Sequence, residues 1–502
     1  MAEGKKFGAF GGVFTPSILT ILGVIMYLRM GWVVGNGSIW LILGIILLAH
    51  FISVATGLSI SSIATDKKVG AGGVYYVLSR SLGLPIGGAL GMTLFVATAL
   101  SIALYMVGFA EIFNEYIGYG YTLDENGVKV IDESVNMTNT FRVSGSIGLL
   151  VLTIIAFIST SIAIKSQYII LTAIVLSLFS IFLGTPMEGA VVANEVVNDT
   201  PLELAGFAAI FAIFFPAVTG FTAGVAMSGD LKDPKKAIPR GTLGAIAVGL
   251  VVYVGLALFL HFSIDQITLI TDPKAIFNFA ALPILVYLGV WGATLSSALG
   301  GILGGPRILQ AMSVDKLTPK LFAKGVGPNN EPRNALILTV IIAEFGILIG
   351  DLNVIAEVVS MFYLAAYGFI NLSFFLESWA SSDFNPTFRV SKWFGLLGFI
   401  ATFVIMSQLN FVAMLAAFVI IGGIYFWLSR KQIALGTGDI WQSVWATIVK
   451  KGLKRMEAGT DHKRNWKPNT LLFSTDSKQR SKMIEFSKAV SGQGGIITNF
   501  DL

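Results

Sequence analysis

The residues in this sequence that could do chemistry are glycines inside apolar runs. Gly23 interrupts LTILGVIMYLRM (19–30) and Gly220 interrupts AVTGFTAGVAM (217–227), in stretches otherwise suited to membrane-spanning helices. Unwinding such a helix frees backbone N–H and C=O groups, which must then face a cavity or a ligand because hydrocarbon cannot bond them. N–H groups converging at the start of the second half-helix suit an anion, and carbonyls ending the first half-helix suit a cation.

The amides that these breaks would offer can be named from the sequence. They belong to Gly23, Val24 and Ile25 in the first run and to Gly220, Phe221 and Thr222 in the second. Pro216 adds to the second break because it leaves a carbonyl one turn earlier unpaired. The alternative is that both glycines are ordinary packing residues, which are common between membrane helices. The matching positions of the two breaks favour the anion-site interpretation.

Hydroxyl side chains could complete a cation site. The stretch GATLSSALGG (292–301) carries Ser296 and Ser297 on a surface of small residues. Two hydroxyls, together with carbonyls of the first run, suit a hard cation the size of sodium. Tyr105 and Tyr367 are further hydroxyls within apolar sequence. Serines also bond to their own helix, and single tyrosines are more often core residues, so the pattern alone leaves both interpretations open.

Four charged residues lie within or at the ends of apolar runs, where they need partners. Arg29 and Glu111 lie toward the outer ends of their spans, and Asp230 and Arg307 lie at the inner ends of theirs. We expect Arg29 to pair with Glu111 and Asp230 with Arg307. Pairs that form and part at opposite faces would gate alternating access, and static anchoring at the headgroup level explains the same residues equally well.

The composition indicates a protein that crosses a membrane many times. Of 502 residues, 55% are hydrophobic and 13% are charged, whereas soluble domains have about 25% charged residues. The sequence has no cysteine for disulfides or thiolate metal sites, no spacing of histidines typical of metal ligands and no phosphate-binding loop. Basic cytoplasmic loops explain the net charge of +5 better than nucleic-acid binding does. No converging nucleophile or pair of carboxylates indicates an enzyme.

About twelve apolar segments approach the roughly 20 residues that a spanning helix needs. They start near Val13, Ile39, Pro85, Ser144, Ser166, Ala205, Gly241, Phe279, Asn334, Leu352, Phe394 and Phe411. Basic residues concentrate in the even-numbered loops and acidic residues in the odd-numbered ones, so the positive-inside rule places both termini in the cytoplasm. We expect a multi-pass protein of the cell membrane, with lipid around it.

An inverted internal repeat relates the two halves of the membrane region. The breaks lie in the first and sixth segments, and an odd number of spans between equivalent positions inverts the second unit relative to the first. Paired interruptions in inverted halves are the best sequence indication of a transporter's central site.

Domain boundaries follow from changes in composition. Residues 1–12 are predicted to be a short cytosolic N-terminus and 13–430 the transmembrane domain. Residues 431–460 are predicted to be a linker whose amphipathic helix lies on the cytoplasmic membrane surface. Residues 461–502 are predicted to begin a cytosolic C-terminal domain, because NWKPNTLLFS (465–474) is typical of a first strand.

Several stretches strongly resemble the cation-chloride cotransporters of the amino acid–polyamine–organocation superfamily. They are GVIMYLRMGWVVGNG (23–37), ISSIATDKKVGAGGVYYVLSRSLG (60–83), FAIFFPAVTGFTAGVAMSGDLKDPKKAIPRGTL (211–243), ATLSSALGG (293–301) and NNEPRNALILT (329–339). The resemblance implies an all-α polytopic fold with the inverted five-plus-five repeat of the bacterial leucine transporter. The repeats would cover about 13–184 and 204–377, with two further helices over about 394–430. A homodimer is also implied.

Where positions match, the resemblance implies the ion ligands. Sodium would be held by Leu19, Leu22, Ala293, Ser296 and Ser297. Potassium would be held by Thr20, Ile21, Tyr105, Pro216 and Thr219. One chloride would lie on Gly23, Val24 and Ile25, and the other on Gly220, Phe221 and Thr222 with Tyr367. The family's outer and inner gate pairs fall on Arg29 with Glu111 and on Asp230 with Arg307.

The branch of the family can be argued from three residues. Potassium-chloride members lack the paired serines and sodium-chloride members lack the tyrosine, so Ser296, Ser297 and Tyr105 resemble the sodium-potassium-chloride branch. Thr20 departs from the Asn of eukaryotic members, which is a mild change if the backbone carbonyl is the main ligand.

The expected function is electroneutral symport of sodium, potassium and two chlorides by alternating access, with no cofactor besides the transported ions. The alternatives are a potassium-chloride symporter, a sodium-chloride symporter, and an amino acid permease whose first-span amides hold a carboxylate. A channel or a non-transporting scaffold is an alternative of another class.

Overall fold

The structure is a computed structural model that describes residues 7–66, 72–123, 129–132, 134–158, 160–185, 204–226, 231–327, 330–430, 440–457, 469–474, 481–491 and 496–501. The chain divides into two compact units, Met1–Val444 and Trp445–Leu502. The membrane spans lie in the first unit.

The first half of the membrane unit begins with a broken segment. A π-helical turn over Phe10–Phe14 runs into α1 (Thr15–Ile21), and after Leu22 and Gly23 the chain continues as α2 (Val24–Leu28) and α3 (Met30–Gly35). The helices that follow are α4 (Ile39–Asp66), α5 (Gly73–Leu82), α6 (Leu84–Ile117), α7 (Met137–Ile158) and α8 (Thr160–Phe182). Between α6 and α7, β1 (Tyr121–Leu123) pairs antiparallel with β2 (Lys129–Ile131).

The second half also begins with a broken segment. It consists of α9 (Phe207–Phe214), a 3₁₀ turn over Phe215–Val218, and α10 (Thr222–Ala226). The helices that follow are α11 (Pro234–Ser263), α12 (Gln266–Thr271), α13 (Ala275–Phe279), α14 (Pro283–Val314), α15 (Arg333–Ile347) and α16 (Leu352–Ala380). A 3₁₀ turn over Lys320–Ala323 lies between α14 and α15. The unit continues with α17 (Lys392–Leu409) and α18 (Phe411–Arg430).

All twelve predicted segments fall on helices. Within the described ranges, nine helical stretches are long and apolar enough to cross a membrane. The fifth and sixth segments count as shorter apolar helices, Ser166–Phe182 and Phe207–Val218, and the ninth is α15, with 15 residues. The sixth segment is short because α9, its first half-helix, ends at the break. The prediction of an all-α polytopic membrane protein is confirmed.

Burial places the broken segments at the centre of the bundle. In the first segment, 89% of an 18-residue apolar stretch is buried within the protein, compared with 17% of the corresponding stretch in α18. Around this centre, α4 packs on α11 and α6 packs on α14. Each of these contacts joins the corresponding spans of the two halves. The exposed backbone of the breaks is therefore shielded from lipid by the rest of the bundle.

The C-terminal part contains a helix and a small βαβ arrangement. Helix α19 (Ile440–Glu457) includes the boundary between the two units, and it coincides with the amphipathic helix predicted from the sequence. Strand β3 (Asn469–Ser474) pairs in parallel with β4 (Ile496–Asp501), and α20 (Ser481–Ser491) lies between them in the chain. The predicted strand is thus found over 469–474, and its first four positions, 465–468, lie outside the described residues.

Candidate ion-binding site

The first break lies between α1 and α2. Leu22 has φ −83° and ψ 46°, and Gly23 has φ −92° and ψ −153°, so both leave helical geometry. Among the described residues, the Gly23 amide has no backbone acceptor, and the amides of Val24 and Ile25 lie in the first turn of α2, where no residue of that helix precedes them as an acceptor. The next amide, of Met26, bonds back to the Gly23 carbonyl at 3.2 Å. The amides that the sequence singled out are therefore available at the start of α2.

The second break has the same hydrogen-bond pattern. In the part of the chain that the structure covers, the amides of Gly220 and Phe221 donate no backbone hydrogen bond, and Thr222 is the first residue of α10. The next amide, of Ala223, bonds back to the Gly220 carbonyl at 3.1 Å. Gly23 and Gly220 thus hold equivalent places in the two halves.

The two breaks lie directly against each other. The Thr20 hydroxyl is 2.9 Å from the Gly220 carbonyl oxygen and 2.7 Å from the Pro16 carbonyl oxygen. A Cβ added to Gly220 would clash with the Thr20 Cβ, and one added to Gly23 would lie 2.8 Å from the Thr20 carbonyl oxygen. Both positions require glycine because backbone approaches backbone here.

Hydroxyls from other spans hold the carbonyls that precede each break. Tyr253 of α11 donates to the Ile21 carbonyl at 2.6 Å, and Ser53 of α4 donates to the Val218 carbonyl at 2.8 Å. Ile21 and Val218 each lie two residues before their glycine. Helices α4 and α11 are each the span that follows the broken segment of their own half. The second span of each half therefore supports the carbonyl end of the other half's break.

Neither Tyr253 nor Ser53 was identified from the sequence. The Tyr253 side chain is fully buried, with its ring 5.2 Å from the Phe214 ring and 5.9 Å from the His50 ring. The available signal was a tyrosine in the middle of an apolar span, which is the feature that drew attention to Tyr105. Its carbonyl partner is 232 residues away in the chain, so only the packing of α11 on the first segment reveals the bond.

Two of the predicted sodium residues, Leu19 and Ser297, meet between the first segment and α14. The Ser297 hydroxyl donates to the Leu19 carbonyl at 3.3 Å, and a Cβ on Gly23 would lie 3.8 Å from the Ser297 Oγ. The remaining predicted members are buried on the same two elements: Leu22, Ala293 and Ser296. The structure thus provides carbonyl and hydroxyl oxygens close to the first row of free amides.

The predicted potassium residues lie around the contact between the breaks. The Thr219 hydroxyl donates to the Pro216 carbonyl at 2.8 Å. Tyr105 lines a cavity of about 50 Å³ together with Thr20 and Gly220. The Thr20 hydroxyl hydrogen is engaged with the Pro16 and Gly220 carbonyls, while its oxygen lone pairs and its backbone carbonyl both remain able to contact a cation.

Tyr367 lies at the second break, as the resemblance implies, but its proton points to a carbonyl. Its hydroxyl donates to Thr219 O at 2.5 Å, and its ring centre is 5.2 Å from that of Phe221. One turn earlier on α16, Tyr363 lines the same cavity and accepts from the Ser101 hydroxyl at 3.3 Å. Tyr363 is a further residue that sequence reasoning missed.

The predicted pair at one end of the bundle is formed. The Arg29 guanidinium makes two hydrogen bonds of 3.1 Å to the Glu111 carboxylate, and its Nε donates to Asn353 at 2.7 Å. The two charged side chains are 13% and 18% exposed. This bidentate geometry joins the first segment to α6 and α16 more strongly than a surface ion pair would. For the second predicted pair, Asp230 lies outside the described residues, and Arg307 lies on α14.

A different ion pair, not predicted from the sequence, lies at the opposite end. Arg80 of α5 contacts Asp315 at 2.8 and 3.0 Å, and Tyr75 donates to the same carboxylate at 2.6 Å. Burial, and then the hydrogen bond to Asp315, raise the pKa of the Tyr75 phenol, so it remains a proton donor. These contacts tie α5 to the residue that follows α14.

Comparisons with known proteins agree with this architecture. The family model described as "Amino acid permease" matches residues 12–472. Solute carrier family 12 member 2 of Homo sapiens is 34% identical over 97% of this chain and 44% of its own length. Solute carrier family 12 member 1 of Mus musculus is 31% identical over 98% of this chain and 49% of its own length.

A third relative has a name that states its ions. The bumetanide-sensitive sodium-(potassium)-chloride cotransporter of Manduca sexta is 30% identical over 100% of this chain and 52% of its own length. The chain spans about half the length of these three relatives. The chain belongs to the amino acid permease family and, within it, to the cation-chloride cotransporter family.

Proposed function

We propose that the chain is a secondary active symporter that carries sodium, potassium and chloride together by alternating access. One observation carries this proposal: two breaks, each with a free amide at its glycine and a carbonyl-ended half-helix before it, lie in contact at the centre of the bundle through Thr20 and Gly220. A cation on the carbonyls next to an anion on the amides lowers the cost of burying either ion. Equal numbers of each charge would make the transport cycle electroneutral.

The ion ligands proposed here are the ones that the resemblance implied. Sodium would bind between Leu19 and Ser297, and potassium between the end of α1 and Tyr105. The two chlorides would bind the amide rows that start at Gly23 and Gly220. The Manduca sexta relative, which is named for sodium, potassium in parentheses and chloride, supports this assignment.

An amino acid permease is the second candidate, because the matching family model has that description. The first amide row could hold a substrate carboxylate. The cavity beside the breaks argues against this, since its volume of only about 50 Å³ is well below the roughly 300–1,000 Å³ of ordinary small-molecule sites. Saturable binding of a labelled amino acid to the purified chain would favour the permease over the ion symporter.

Placement and assembly are also proposals. The loop charges support a multi-pass protein of the cell membrane with both termini in the cytoplasm. We propose a homodimer surrounded by lipid, whose transported partners are small inorganic ions.

Sodium dependence tests the proposed function. In proteoliposomes, chloride-dependent rubidium uptake is expected to require external sodium. The double variant Ser296→Ala with Ser297→Ala is expected to remove that requirement because it deletes two of the proposed sodium ligands. Ser407→Ala is the matched control, since this serine of α17 bonds back to Val404 in its own helix. Sodium-independent uptake by the unaltered chain would indicate potassium-chloride symport instead.

Tyr253→Phe is expected to raise the rubidium concentration for half-maximal uptake about fivefold, because a hydrogen bond contributes about 1 kcal/mol. The phenol fixes the direction of the Ile21 carbonyl, which we propose as a potassium ligand. The half-maximal sodium and chloride concentrations should change less. Tyr425→Phe on the peripheral helix α18 is the control. An equal shift for all three ions would mean that Tyr253 supports the fold in general and not this ligand.

A further inference from the structure

A large groove lies on the bundle away from the ion site. It has a volume of about 500 Å³ and lies between α9, α16 and α18. Its walls are mostly alanine and other apolar residues, including Ala209, Ala365, Ala413 and Ala417. This volume falls within the roughly 300–1,000 Å³ of ordinary small-molecule sites. Because α18 is the most lipid-exposed of the spans, the groove is accessible from the membrane.

The length of the groove matches one leaflet. Its lining runs from Asn410, which immediately precedes α18, to Ile421 within that helix, a length of about 16 Å at 1.5 Å per residue. The hydrocarbon core is about 30 Å thick, so the groove covers about half of it. On α16 the lining starts at Glu357, one turn after Asn353, which binds Arg29. The groove therefore opens at the end of the bundle that carries the Arg29–Glu111 pair.

Glu357 gives the groove a charge at this end. Its side chain is exposed in the groove, and no hydrogen bond or salt bridge connects it to another residue of the described ranges. A carboxylate on a membrane-spanning helix is costly unless it is paired. A ligand with a positively charged hydrogen-bond donor and an apolar tail would pair with the Glu357 carboxylate and fill the apolar part of the groove.

We propose that this groove binds a phospholipid with an ethanolamine headgroup. An acyl chain lies among the alanines within one leaflet, and the headgroup ammonium donates to the Glu357 carboxylate. Ethanolamine is favoured over choline because its primary ammonium has N–H donors for a short charge-assisted hydrogen bond, and choline has none. A transmembrane helix of a second copy is a poorer fit, since it would run the full membrane thickness. The inference does not depend on which ions are transported.

Native mass spectrometry of the delipidated full chain tests this proposal. Phosphatidylethanolamine is expected to be retained at about fivefold lower concentration than phosphatidylcholine, since one net hydrogen bond contributes about 1 kcal/mol. Glu357→Gln should remove this preference. Asp383→Asn, an exposed carboxylate in the turn after α16, is the matched control and should keep it. Ala413→Phe, which fills the groove, should weaken retention of both lipids.

Several outcomes would overturn the lipid site. Equal retention of the two lipids by the unaltered chain would do so, as would an unchanged preference in Glu357→Gln. Cross-links from a cysteine at Ala417 to a second copy would show that another chain covers the groove, which also overturns it. Rubidium uptake measured on the same preparations tests the ion proposal separately, because lipid retention requires no transport.

Discussion

Gly220→Ala is expected to reduce chloride-dependent rubidium uptake about 30-fold while the protein stays folded. The added methyl would clash with the Thr20 Cβ and lie 2.8 Å from the Thr20 backbone carbon. Overpacking of this kind costs about 1–3 kcal/mol, and about 2 kcal/mol corresponds to 30-fold in rate or binding. The clash separates the two breaks, so the second amide row moves away from the carbonyls of the first segment.

The measurement is initial uptake in proteoliposomes at several chloride concentrations, with size-exclusion elution and thermal stability recorded for each variant. Gly422→Ala on α18 is the control, since a Cβ there would meet nothing within 4 Å. Normal uptake by Gly220→Ala would show that the breaks need no close contact. The proposed coupling of cation and anion through their adjacency would then be wrong.

The breaks themselves could be predicted from the sequence because their cause is local. Glycine weakens a helix wherever it occurs, and two such positions separated by five spans indicate inverted halves whatever the tertiary packing. The free amides of Gly23, Gly220 and Phe221, and the helix starts at Val24 and Thr222, agree with that prediction. Their roles as chloride ligands remain proposals.

The supports of the breaks could not be predicted because their causes are not local. Tyr253 and Ser53 act only because α11 and α4 pack beside the opposite half's broken segment. The Arg80–Asp315 pair depends on α5 lying near the end of α14. Hydropathy identifies spans and their order, and it contains no information about which face of a span meets which neighbour.

The Arg29–Glu111 pair is an intermediate case, because the sequence predicts part of its contacts and not the rest. The sequence predicts this pair because opposite charges at the same depth in a membrane stabilise each other, and the structure shows the Arg29–Glu111 contact at 3.1 Å. The additional bond from Arg29 to Asn353 was not foreseen. That bond extends the pair to α16, so three spans meet at one guanidinium.

Arg29→Glu is expected to reduce chloride-dependent rubidium uptake about 100-fold. The change places two carboxylates together where the present side chains are 13% and 18% exposed, and losing one partner of such a charge pair costs about 2–5 kcal/mol. The reversed double variant, Arg29→Glu with Glu111→Arg, is expected to recover about tenfold. Its recovery is partial because Asn353, whose Oδ1 accepts from the arginine at 2.7 Å, must turn its amide over before it can donate to the introduced carboxylate.

Gating and static anchoring make different predictions for the same pair. The chain has no cysteine, so Ala223→Cys, at a residue that lines the same cavity and is not a proposed ligand, introduces a single thiol beside the ion site. If the pair closes one side of a transport cycle, Glu111→Gln should leave that side open longer, and labelling by an external thiol reagent should rise about fivefold, equivalent to a population shift of about 1 kcal/mol. If the pair only anchors helices, labelling should stay constant while thermal stability falls. The second outcome would remove Arg29 and Glu111 from the proposed mechanism, because an element that does not change state cannot alternate access.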